Sequence, residues 1–343
     1  MSPPATIYDI ARICGVSVST VSRVLKNDGY PVSEPIRKLV LDTAVEIEYT
    51  PRIRRNRETG EGAMVYVIIP SIVNPFYSQL ITGVEQALQK TDARMILFNT
   101  KGDPEAENGF VADIANNNKN CLGAIIASIC PSHSHLLQLK YSGVPVVAFD
   151  QQIDIPCHQI AFNHRSGGYM AAMHLLETGR KKIGFLSSPL TRSSRHEVYT
   201  GFCSALKQHG LRPNSQHVKI SDTESDSTDY SHDFGHGAKL AKQLLDQGNL
   251  PDAVFCVNDV VAVAAMQTLQ AAGIRVPEQI AVVGFDNTFI SQIVTPKLTT
   301  IDQSTIKMGN LAIDLLLDVS PKGGDEKIAR IILEPTLVVR GST

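Results

Sequence analysis

The apolar positions of the first fifty residues repeat at the spacing of short α-helices. Two stripes with i, i+3 and i+4 spacing are formed by Ile7, Ile10 and Ala11 and by Val21, Val24 and Leu25. Thr6 can cap the first helix, with the Asp9 carboxylate placed to offset the helix dipole. Gly15 supplies the positive φ that a tight turn needs, and Ser17 can cap the second helix. The pattern predicts two helices joined by a glycine turn, the form of a helix-turn-helix.

A third helix is predicted to begin at Ser33, with Glu34 and Pro35 in its first turn. Its apolar positions are Ile36, Leu39, Val40, Thr43, Ala44 and Ile47. We expect the three small helices to share one core.

From Met64 onward, short β-branched runs alternate with helical segments. The predicted strands are Val65 to Ile69, Met95 to Phe98, Ala124 to Ala127, Val144 to Phe149, Lys182 to Leu186, Val218 to Ile220, Ala253 to Val257 and Ile280 to Val283. This alternation is typical of right-handed βαβ units with parallel sheets covered on both faces. Because the strands are too many for one small sheet and divide near Phe162, we predict two similar α/β lobes. A final helix, Ser304 to Asp318, and a strand, Ile328 to Val339, are expected to cross back between them.

Length and composition fit a globular protein of two or three domains, since 43% of the 343 residues are hydrophobic. No apolar run approaches the roughly 20 residues of a membrane span. Met1-Ser2-Pro3-Pro4 lacks the basic and apolar regions of a secretory signal. We therefore expect a cytoplasmic protein with no membrane partner. Six scattered cysteines without a C-x-x-C pair suit buried free thiols in a reducing compartment.

A net charge of −2 gives no overall basic character, so any affinity for nucleic acid must come from a local patch. Such a patch is formed by Arg52, Arg54, Arg55 and Arg57, together with Arg12, Arg23, Arg37 and Lys38. A solvated basic linker is the alternative interpretation, but the position directly after a helix-turn-helix favours DNA binding. The segment from Glu58 to Ala63 is rich in Gly, Glu and Thr and predicts a flexible connection.

In a helix-turn-helix, the second helix enters the major groove and reads base edges with residues near its N-terminus. Arg23 has the fork geometry for the O6 and N7 atoms of guanine, and Val18 can pack on a thymine methyl group. Ser19 and Ser22 are candidates for base or phosphate contacts. A plain helical hairpin with solvated Ser and Arg side chains is the alternative, but it explains neither the third helix nor the basic segment.

The run from Thr6 to Pro51, which ends in Glu48-Tyr49-Thr50-Pro51, resembles the DNA-binding headpiece of the LacI/GalR (lac repressor) family of bacterial transcription regulators. The similarity continues through Asn74-Pro75-Phe76-Tyr77, Val257-Asn258-Asp259, Val282-Val283-Gly284-Phe285-Asp286-Asn287 and Leu337-Val338-Val339-Arg340-Gly341-Ser342-Thr343. It implies an N-terminal all-α helix-turn-helix headpiece followed by an α/β two-lobed body of the periplasmic-binding-protein type I fold with parallel sheets. The expected domains are the headpiece (1–50), a hinge or linker (51–62) and an effector-binding and dimerisation body (63–343), with an N-lobe of about 63–161 plus 303–327 and a C-lobe of about 162–302 plus 328–343.

The same resemblance implies a transcriptional repressor that binds a pseudo-palindromic double-stranded DNA operator as a homodimer. A small-molecule effector, a sugar or sugar derivative, is expected to bind in the interlobe cleft and control DNA binding, without a cofactor. The candidate DNA-contacting residues are Thr6, Tyr8, Val18, Ser19, Thr20, Ser22, Arg23, Arg52, Arg54 and Arg55. Since the sequence stops at Thr343 without trailing leucine heptads, a dimer is expected rather than the tetramer of some relatives.

Ligands of open α/β sheets bind beyond the carboxyl ends of the strands. Asp150 and Asp286 each follow an apolar strand, where a carboxylate can accept paired hydroxyl groups. The candidate effector-binding residues, matched to family positions, are Phe76, Tyr77, Asp150, Arg192, Ser194, Asn258, Asp286 and Gln303. The alternative roles are helix-start packing for Phe76, a turn cap for Asp286 and a helix cap for Asn258.

Two positions depart from the family pattern. Val198 stands where family members usually carry a ligand-gripping arginine, so either Arg192 or Arg195 substitutes or the ligand is unusual. Glu58 stands where the family's hinge helix inserts a leucine into the minor groove. Either the wedge is absent, or Ile53 supplies the apolar contact in a shifted register.

Other chemistry is weakly supported by the sequence. The pairs His133 with His135 and His232 with His236 lack a nearby Cys or a third clear ligand, so no metal site is predicted. An enzyme on a Rossmann-like scaffold is disfavoured because no phosphate loop or nucleophile elbow occurs. A sugar-binding receptor of a transport system is the remaining alternative, and the attached headpiece and missing signal segment argue against it.

Overall fold

The computed structural model describes residues 5–26, 31–47, 49, 62–130, 132–149, 153, 155–223, 231–318 and 328–343. The chain divides into two compact units, each assembled from three stretches. The first unit comprises Met1–Pro70, Val84–Gln159 and Asn310–Arg330, and the second comprises Ser71–Gly83, Ile160–Gly309 and Ile331–Thr343.

The N-terminal region of the first unit contains three helices, α1 (Ile7–Cys14), α2 (Val18–Lys26) and α3 (Glu34–Glu46). At the start of α1, the backbone N–H and the hydroxyl of Thr6 donate to the Asp9 carboxylate at 2.9 and 2.6 Å. Gly15 ends α1 with a φ of 65°. The Ser17 hydroxyl oxygen accepts a hydrogen bond from the Thr20 N–H at 3.1 Å, which caps α2. The caps and the glycine turn predicted from the sequence are confirmed.

These three helices share one small core, as predicted. Its buried side chains are Ile10, Ala11, Val21, Val24, Leu25, Val40, Thr43 and Ala44. Leu39 differs from the prediction, because it is 46% exposed although it belongs to the apolar repeat of α3. Two short helices cover only part of the α3 surface, so its buried stripe is narrower than its apolar one.

Strands and helices alternate through the rest of the described chain. The strands are β1 (Met64–Ile69), β2 (Arg94–Asn99), β3 (Cys121–Ile126), β4 (Val146–Phe149), β5 (His158–Phe162), β6 (Ile183–Ser187), β7 (Val218–Ile220), β8 (Ala253–Cys256), β9 (Ala281–Phe285), β10 (Thr299–Asp302), β11 (Arg330–Leu333) and β12 (Thr336–Val338). The helices are α4 (Pro75–Leu88), α5 (Pro104–Asn116), α6 (Leu137–Tyr141), α7 (His164–Glu177), α8 (Ser193–Gln208), α9 (Ser231–Asp246), α10 (Asp259–Ala271), α11 (Ile290–Ile293) and α12 (Thr305–Leu317), with a 3-10 helix at Ser134–Leu136.

Two six-stranded sheets result, with orders β11-β5-β4-β3-β1-β2 and β12-β10-β9-β8-β6-β7. Pairs β1 to β2, β1 to β3 and β3 to β4 are parallel in the first sheet. Strands β6 to β10 pair in parallel in the second sheet, and β12 adds to β10 in the antiparallel direction. The predicted α/β architecture with mainly parallel sheets is confirmed. The carboxyl ends of parallel neighbours meet at one sheet edge, which brings the loops after them together.

The structure corrects the sequence analysis at three strands. β5 and β10 were not predicted, because β5 begins with polar residues and three of the four residues of β10 are polar. The β10 threonines are buried nevertheless, since their hydroxyls have partners: Thr300 donates to Asp259 at 2.6 Å, and the Thr299 oxygen lies 2.8 Å from that of Thr343. The predicted single strand from Ile328 to Val339 is wrong. It is two strands in different sheets, interrupted before Pro335, whose missing N–H cannot join a ladder.

Helices α7 and α8 approach each other closely through two glycines. A Cβ atom on Gly168 would overlap the Val198 carbonyl oxygen, and one on Gly201 would overlap the Arg165 carbonyl oxygen. Backbone occupies the space that a side chain would need, so only glycine permits this distance between the helices.

We predict that Gly168→Ala destabilises the protein by about 1–3 kcal/mol, because the added methyl group must push α7 and α8 apart. Gly109→Ala is the matched control, since Gly109 lies within α5 with no heavy atom within 4 Å of its added Cβ. This control should stabilise the protein by up to about 1 kcal/mol through helix propensity. Urea unfolding measures both values, and equal effects of the two substitutions would contradict the packing argument.

Candidate functional site

The second helix of the headpiece presents the residues predicted to read DNA. Ser19 is exposed, and Val18, Thr20, Ser22 and Arg23 are half-buried. The opposite face of α2 is fixed by the buried side chains of Val21, Val24 and Leu25. Because a helix with one face locked into a core cannot rotate, its other face has a defined orientation.

The start of α1 adds two further predicted DNA-contacting side chains. Tyr8 is 70% exposed, and Thr6 is exposed beside it. Two headpiece cations form local ion pairs, Arg12 with Asp9 at 3.0 Å and Arg37 with Glu34 at 3.7 Å. Exposed pairs of this kind are weak and leave the guanidinium groups available to phosphates. The predicted basic and hinge residues lie outside the described residues: Arg52, Ile53, Arg54, Arg55, Arg57 and Glu58.

Four loops of the second unit follow parallel strands and place polar side chains at one edge of the second sheet. Ser188 follows β6, Asn258 follows β8, Asp286 follows β9 and Gln303 follows β10. The last three were predicted from the sequence as effector-binding residues. Asp150, the candidate after β4, lies outside the described residues.

Asp233 belongs to this edge but was not predicted. It lies in the first turn of α9, is 8% exposed, and accepts hydrogen bonds from the Asn258 amide at 3.2 Å and the Ser188 hydroxyl at 3.5 Å. In the sequence it is an acidic residue at the start of a helix, which usually offsets only the helix dipole. The Asn258 side-chain oxygen also accepts from the Val261 N–H at 2.8 Å, so the helix-cap role of Asn258 is confirmed.

Asp286 and Gln303 form a direct pair. The Gln303 amide nitrogen donates to the Asp286 carboxylate at 2.5 Å, and Gln303 is 4% exposed. The Gln303 carbonyl oxygen is buried and has no hydrogen-bond partner within the described part of the chain. A buried acceptor of this kind fits a donor supplied by a ligand, such as a hydroxyl group.

The Asp286-Asn287 turn has an unusual backbone. Its φ angles are 107° and 50°, a region that non-glycine residues rarely occupy, although Asp and Asn tolerate it best. The Arg340 guanidinium donates to the Asn287 side-chain oxygen at 2.6 Å, and the Gln79 amide donates to the Asn287 carbonyl oxygen at 3.0 Å. These contacts hold the turn from two sides and place the first turns of α4 beside it.

Asp259 supports the same turn from the interior. It is fully buried, and its carboxylate accepts from the Thr288 N–H at 2.6 Å, the Thr288 hydroxyl at 2.8 Å and the Thr300 hydroxyl at 2.6 Å. Burial raises the pKa of Asp259 to about 6, although the three hydrogen bonds oppose that change. A Cβ atom on Gly284 would overlap this carboxylate, so glycine is required there.

Phe76 and Tyr77 lie in the first turn of α4. The Asn74 side-chain oxygen caps the helix by accepting from the Phe76 N–H at 2.9 Å. The two rings pack edge to face at a centroid distance of 5.2 Å, and each residue is 7% exposed. Since Gln79 on the same helix contacts Asn287, this aromatic pair and the Asp286 turn lie in one region of the second unit.

The start of α8 carries the remaining effector candidates. Arg192 occupies the N-cap position, and Arg192 and Ser194 are half-buried. Arg195 donates to the Pro189 carbonyl oxygen at 3.1 Å. Val198, at the position of the family's arginine, is 2% exposed and packs against α7 through Gly168. The contact with Gly168 is made by the Val198 backbone, and the Val198 side chain is buried.

One side-chain cluster in the first unit corrects the analysis of the histidines. Glu107, Cys130 and His135 place one potential metal-ligand atom each within 4.8 Å of one another. The inference that His135 has no nearby Cys or third ligand is therefore wrong, because α5 and the segment after β3 bring the other two residues to it. Side-chain details of His232 lie outside the described residues.

Two family models match the chain. One, described as bacterial regulatory proteins of the lacI family, matches residues 6–52, and the other, described as a periplasmic binding protein-like domain, matches residues 172–343. The first covers the headpiece helices, and the second covers most of the second unit, including Asn258, Asp286 and Gln303.

Two relatives match over nearly their whole length. The HTH-type transcriptional repressor PurR of Photobacterium profundum is 31% identical over 341 residues, and the HTH-type transcriptional regulator DegA of Bacillus subtilis is 32% identical over 343 residues; both alignments cover 98% of each chain. A solved complex of the transcriptional regulator CelR with cellobiose superimposes with a TM-score of 0.68 and 26% identity, covering 99% of this chain and 100% of that one. Among the residues that the structure describes, no helix is both long enough and apolar enough to cross a bilayer.

We predict that Asp259 makes stability depend on pH in a defined direction. Because its pKa is raised in the folded state, Asp259 contributes stability that is fully present below its unfolded pKa of about 4 and is lost as pH rises through about 6. Asp259→Asn removes that titration. The free energy of unfolding of this variant minus that of the unsubstituted protein should therefore rise between pH 4 and pH 6. Urea unfolding across this range measures the difference. The exposed Asp246→Asn is the control, and a difference for Asp259→Asn that is as flat as that of the control would contradict the assignment.

Proposed function

The chain belongs to the LacI family of bacterial regulatory proteins, and we propose that it is a repressor that binds a pseudo-palindromic operator as a homodimer under the control of a small hydroxyl-rich effector. Its full-length relatives are DNA-binding transcriptional regulators. The observation that carries the proposal is the geometry of α2, which has its apolar face buried in the headpiece and Ser19, Ser22 and Arg23 on its other side.

Operator reading is assigned to α2 in the major groove. Arg23 supplies a guanidinium fork for guanine, and Val18 and Ser19 lie near the N-terminus of the helix, where base edges are read in this motif. Tyr8 and Thr6 at the start of α1 are assigned to phosphates, together with the arginines after Pro51. Since the net charge of the chain is −2, these local cations carry the electrostatic part of binding.

An exposed apolar surface on α11 supports the homodimer. Phe289, the N-cap residue of α11, is 68% exposed, and Ile293, the last residue of this helix, is 60% exposed. Large apolar side chains left in solvent together mark interaction surfaces in soluble proteins. A two-fold pairing of chains would present two recognition helices to the two halves of a pseudo-palindrome.

The carboxyl edge of the second sheet is proposed as the effector site. It combines the carboxylate of Asp286 and the amides of Gln303 and Asn258 with the aromatic pair Phe76 and Tyr77. Carboxylates that accept paired hydroxyls, beside apolar ring faces, suit a sugar or sugar derivative. CelR, a structural relative, was solved as a cellobiose complex. Further candidate contacts to the effector are Arg192, Ser194 and Asp150.

We also propose that the protein acts in the cytoplasm and has no catalytic role.

Arg23→Ala should weaken specific operator binding by about 1–3 kcal/mol, because it removes a bidentate contact to guanine. Binding to random duplex should change much less. A gel-shift titration of the full-length protein, at two salt concentrations with operator and random competitor, measures both affinities. Arg212→Ala, on the second unit, is the charge-matched control, and equal losses in the two variants would remove Arg23 from the recognition surface.

Asp286→Asn should weaken effector binding by about 1–3 kcal/mol, because the amide cannot accept two hydroxyls as a carboxylate does. Asparagine tolerates the positive φ at this position, so the turn should persist. The measurement is thermal stabilisation by a panel of mono- and disaccharides, sugar acids, nucleosides and purines, followed by calorimetry on the ligand that binds. DNA affinity without ligand should stay unchanged, and an unaltered ligand response would place the site elsewhere.

A further inference from the structure

A Glu-Cys-His cluster in the first unit consists of residues that are assigned neither to DNA nor to effector binding. Glu107 is on α5, Cys130 follows β3, and His135 is in the 3-10 helix that comes after it. The His135 Nε2 atom lies 2.7 Å from the Glu107 Oε1 atom, and the three ligand atoms are all within 4.8 Å of one another. Helix α5 and the segment after β3 therefore converge on one point.

The cluster is enclosed. Glu107 is 2% exposed, Cys130 is 7% exposed and the His135 side chain is 11% exposed. Carboxylates are rarely buried to this degree unless they are paired or bind a metal. The imidazole is the most accessible of the three groups.

Ser128 orients two members of the cluster. Its hydroxyl donates to the Glu107 carboxylate at 2.6 Å and accepts from the Cys130 N–H at 3.2 Å. Ser128 itself is 1% exposed. The Ser128 hydroxyl donates to Oε1, the carboxylate oxygen that also faces His135. Hydrogen-bonded partners of ligating carboxylates orient the ligands of metal sites.

We propose that Glu107, Cys130 and His135 bind a divalent transition-metal ion, with Zn²⁺ as the best chemical fit. Thiolate, imidazole and carboxylate are the three zinc ligand types, and a tetrahedral site with three protein ligands leaves a fourth position for solvent. Tetrahedral ligands lie about 3.3 Å apart, so Glu107 and His135 separate by a few tenths of an ångström on binding. The Cys130 sulfur forms the new metal bond and releases its proton to solvent.

The test uses the tag-free full-length protein, reduced, treated with chelator and titrated with Co²⁺ and then Zn²⁺. One equivalent of Co²⁺ should produce the visible bands of a tetrahedral ion and a thiolate-to-cobalt charge-transfer band, and Zn²⁺ should abolish both. Cys130→Ser should remove the charge-transfer band and weaken Zn²⁺ binding tenfold or more, and Ser128→Ala should weaken it by about tenfold. Cys203→Ser, a half-buried cysteine of the second unit, should retain the band.

Absence of the charge-transfer band in the unsubstituted protein, or its persistence in Cys130→Ser, overturns the proposal. In that case, the cluster is a hydrogen-bonded network only. Thermal unfolding without metal checks that each variant is folded. If Cys130→Ser fails to fold, His135→Gln, at the least buried ligand, serves as the second variant and should lose Zn²⁺ affinity to a similar extent.

Discussion

The proposed effector site depends on the hydrogen bonds that the buried carboxylate of Asp259 accepts. A carboxylate without partners in the interior would cost several kcal/mol, but two hydroxyls and one backbone N–H satisfy this one. Those donors come from Thr288 in the loop after β9 and from Thr300 in β10. One side chain therefore links the start of α10 to that loop and to β10. The Asp286-Asn287 turn, with its positive φ angles, is held in place by this tie and by Arg340. The polar edge is therefore preorganised, which lowers the entropic cost of binding a flexible, hydroxyl-rich ligand.

Local hydrogen bonds also preorganise the headpiece. Its core is small, so the capping contacts of Thr6 and Ser17 and the left-handed Gly15 contribute a large share of what fixes α2. Helix α2, which we propose reads DNA, belongs to the first unit, whereas Asp286, Gln303 and Asn258, which we propose bind the effector, belong to the second. Control of one by the other requires a coupling free energy, and about 1–3 kcal/mol is typical of such regulators. The chain passes repeatedly between the units, which provides covalent routes for that coupling.

The sequence predicted the elements whose signal is local. Apolar spacing located α1 to α3 and eight strands, and cap residues gave the helix starts. Strand β10 was missed because its burial depends on Asp259, which lies far earlier in the chain. Asp233 and the Glu107 cluster were also missed because their signals are tertiary contacts. In the sequence, Asp233 is an ordinary carboxylate at a helix start, and His135 is an ordinary histidine in a polar stretch. Val198 illustrates the converse case: the sequence marked its departure from the family pattern, and the structure adds that this side chain is buried where the residue's backbone meets Gly168 of α7.

We propose that α2 reads DNA and that a ligand at the carboxyl edge of the second sheet controls this binding. One equilibrium titration measures both the DNA affinity and its dependence on ligand. The full-length protein is titrated with duplexes from the region beside its own gene, with and without the ligand that stabilises it most. We expect a salt-dependent preference for one fragment and a ligand-dependent change in its affinity of about 5- to 150-fold. Equal affinity for that fragment and for random duplex, whether or not ligand is present, would contradict this mechanism.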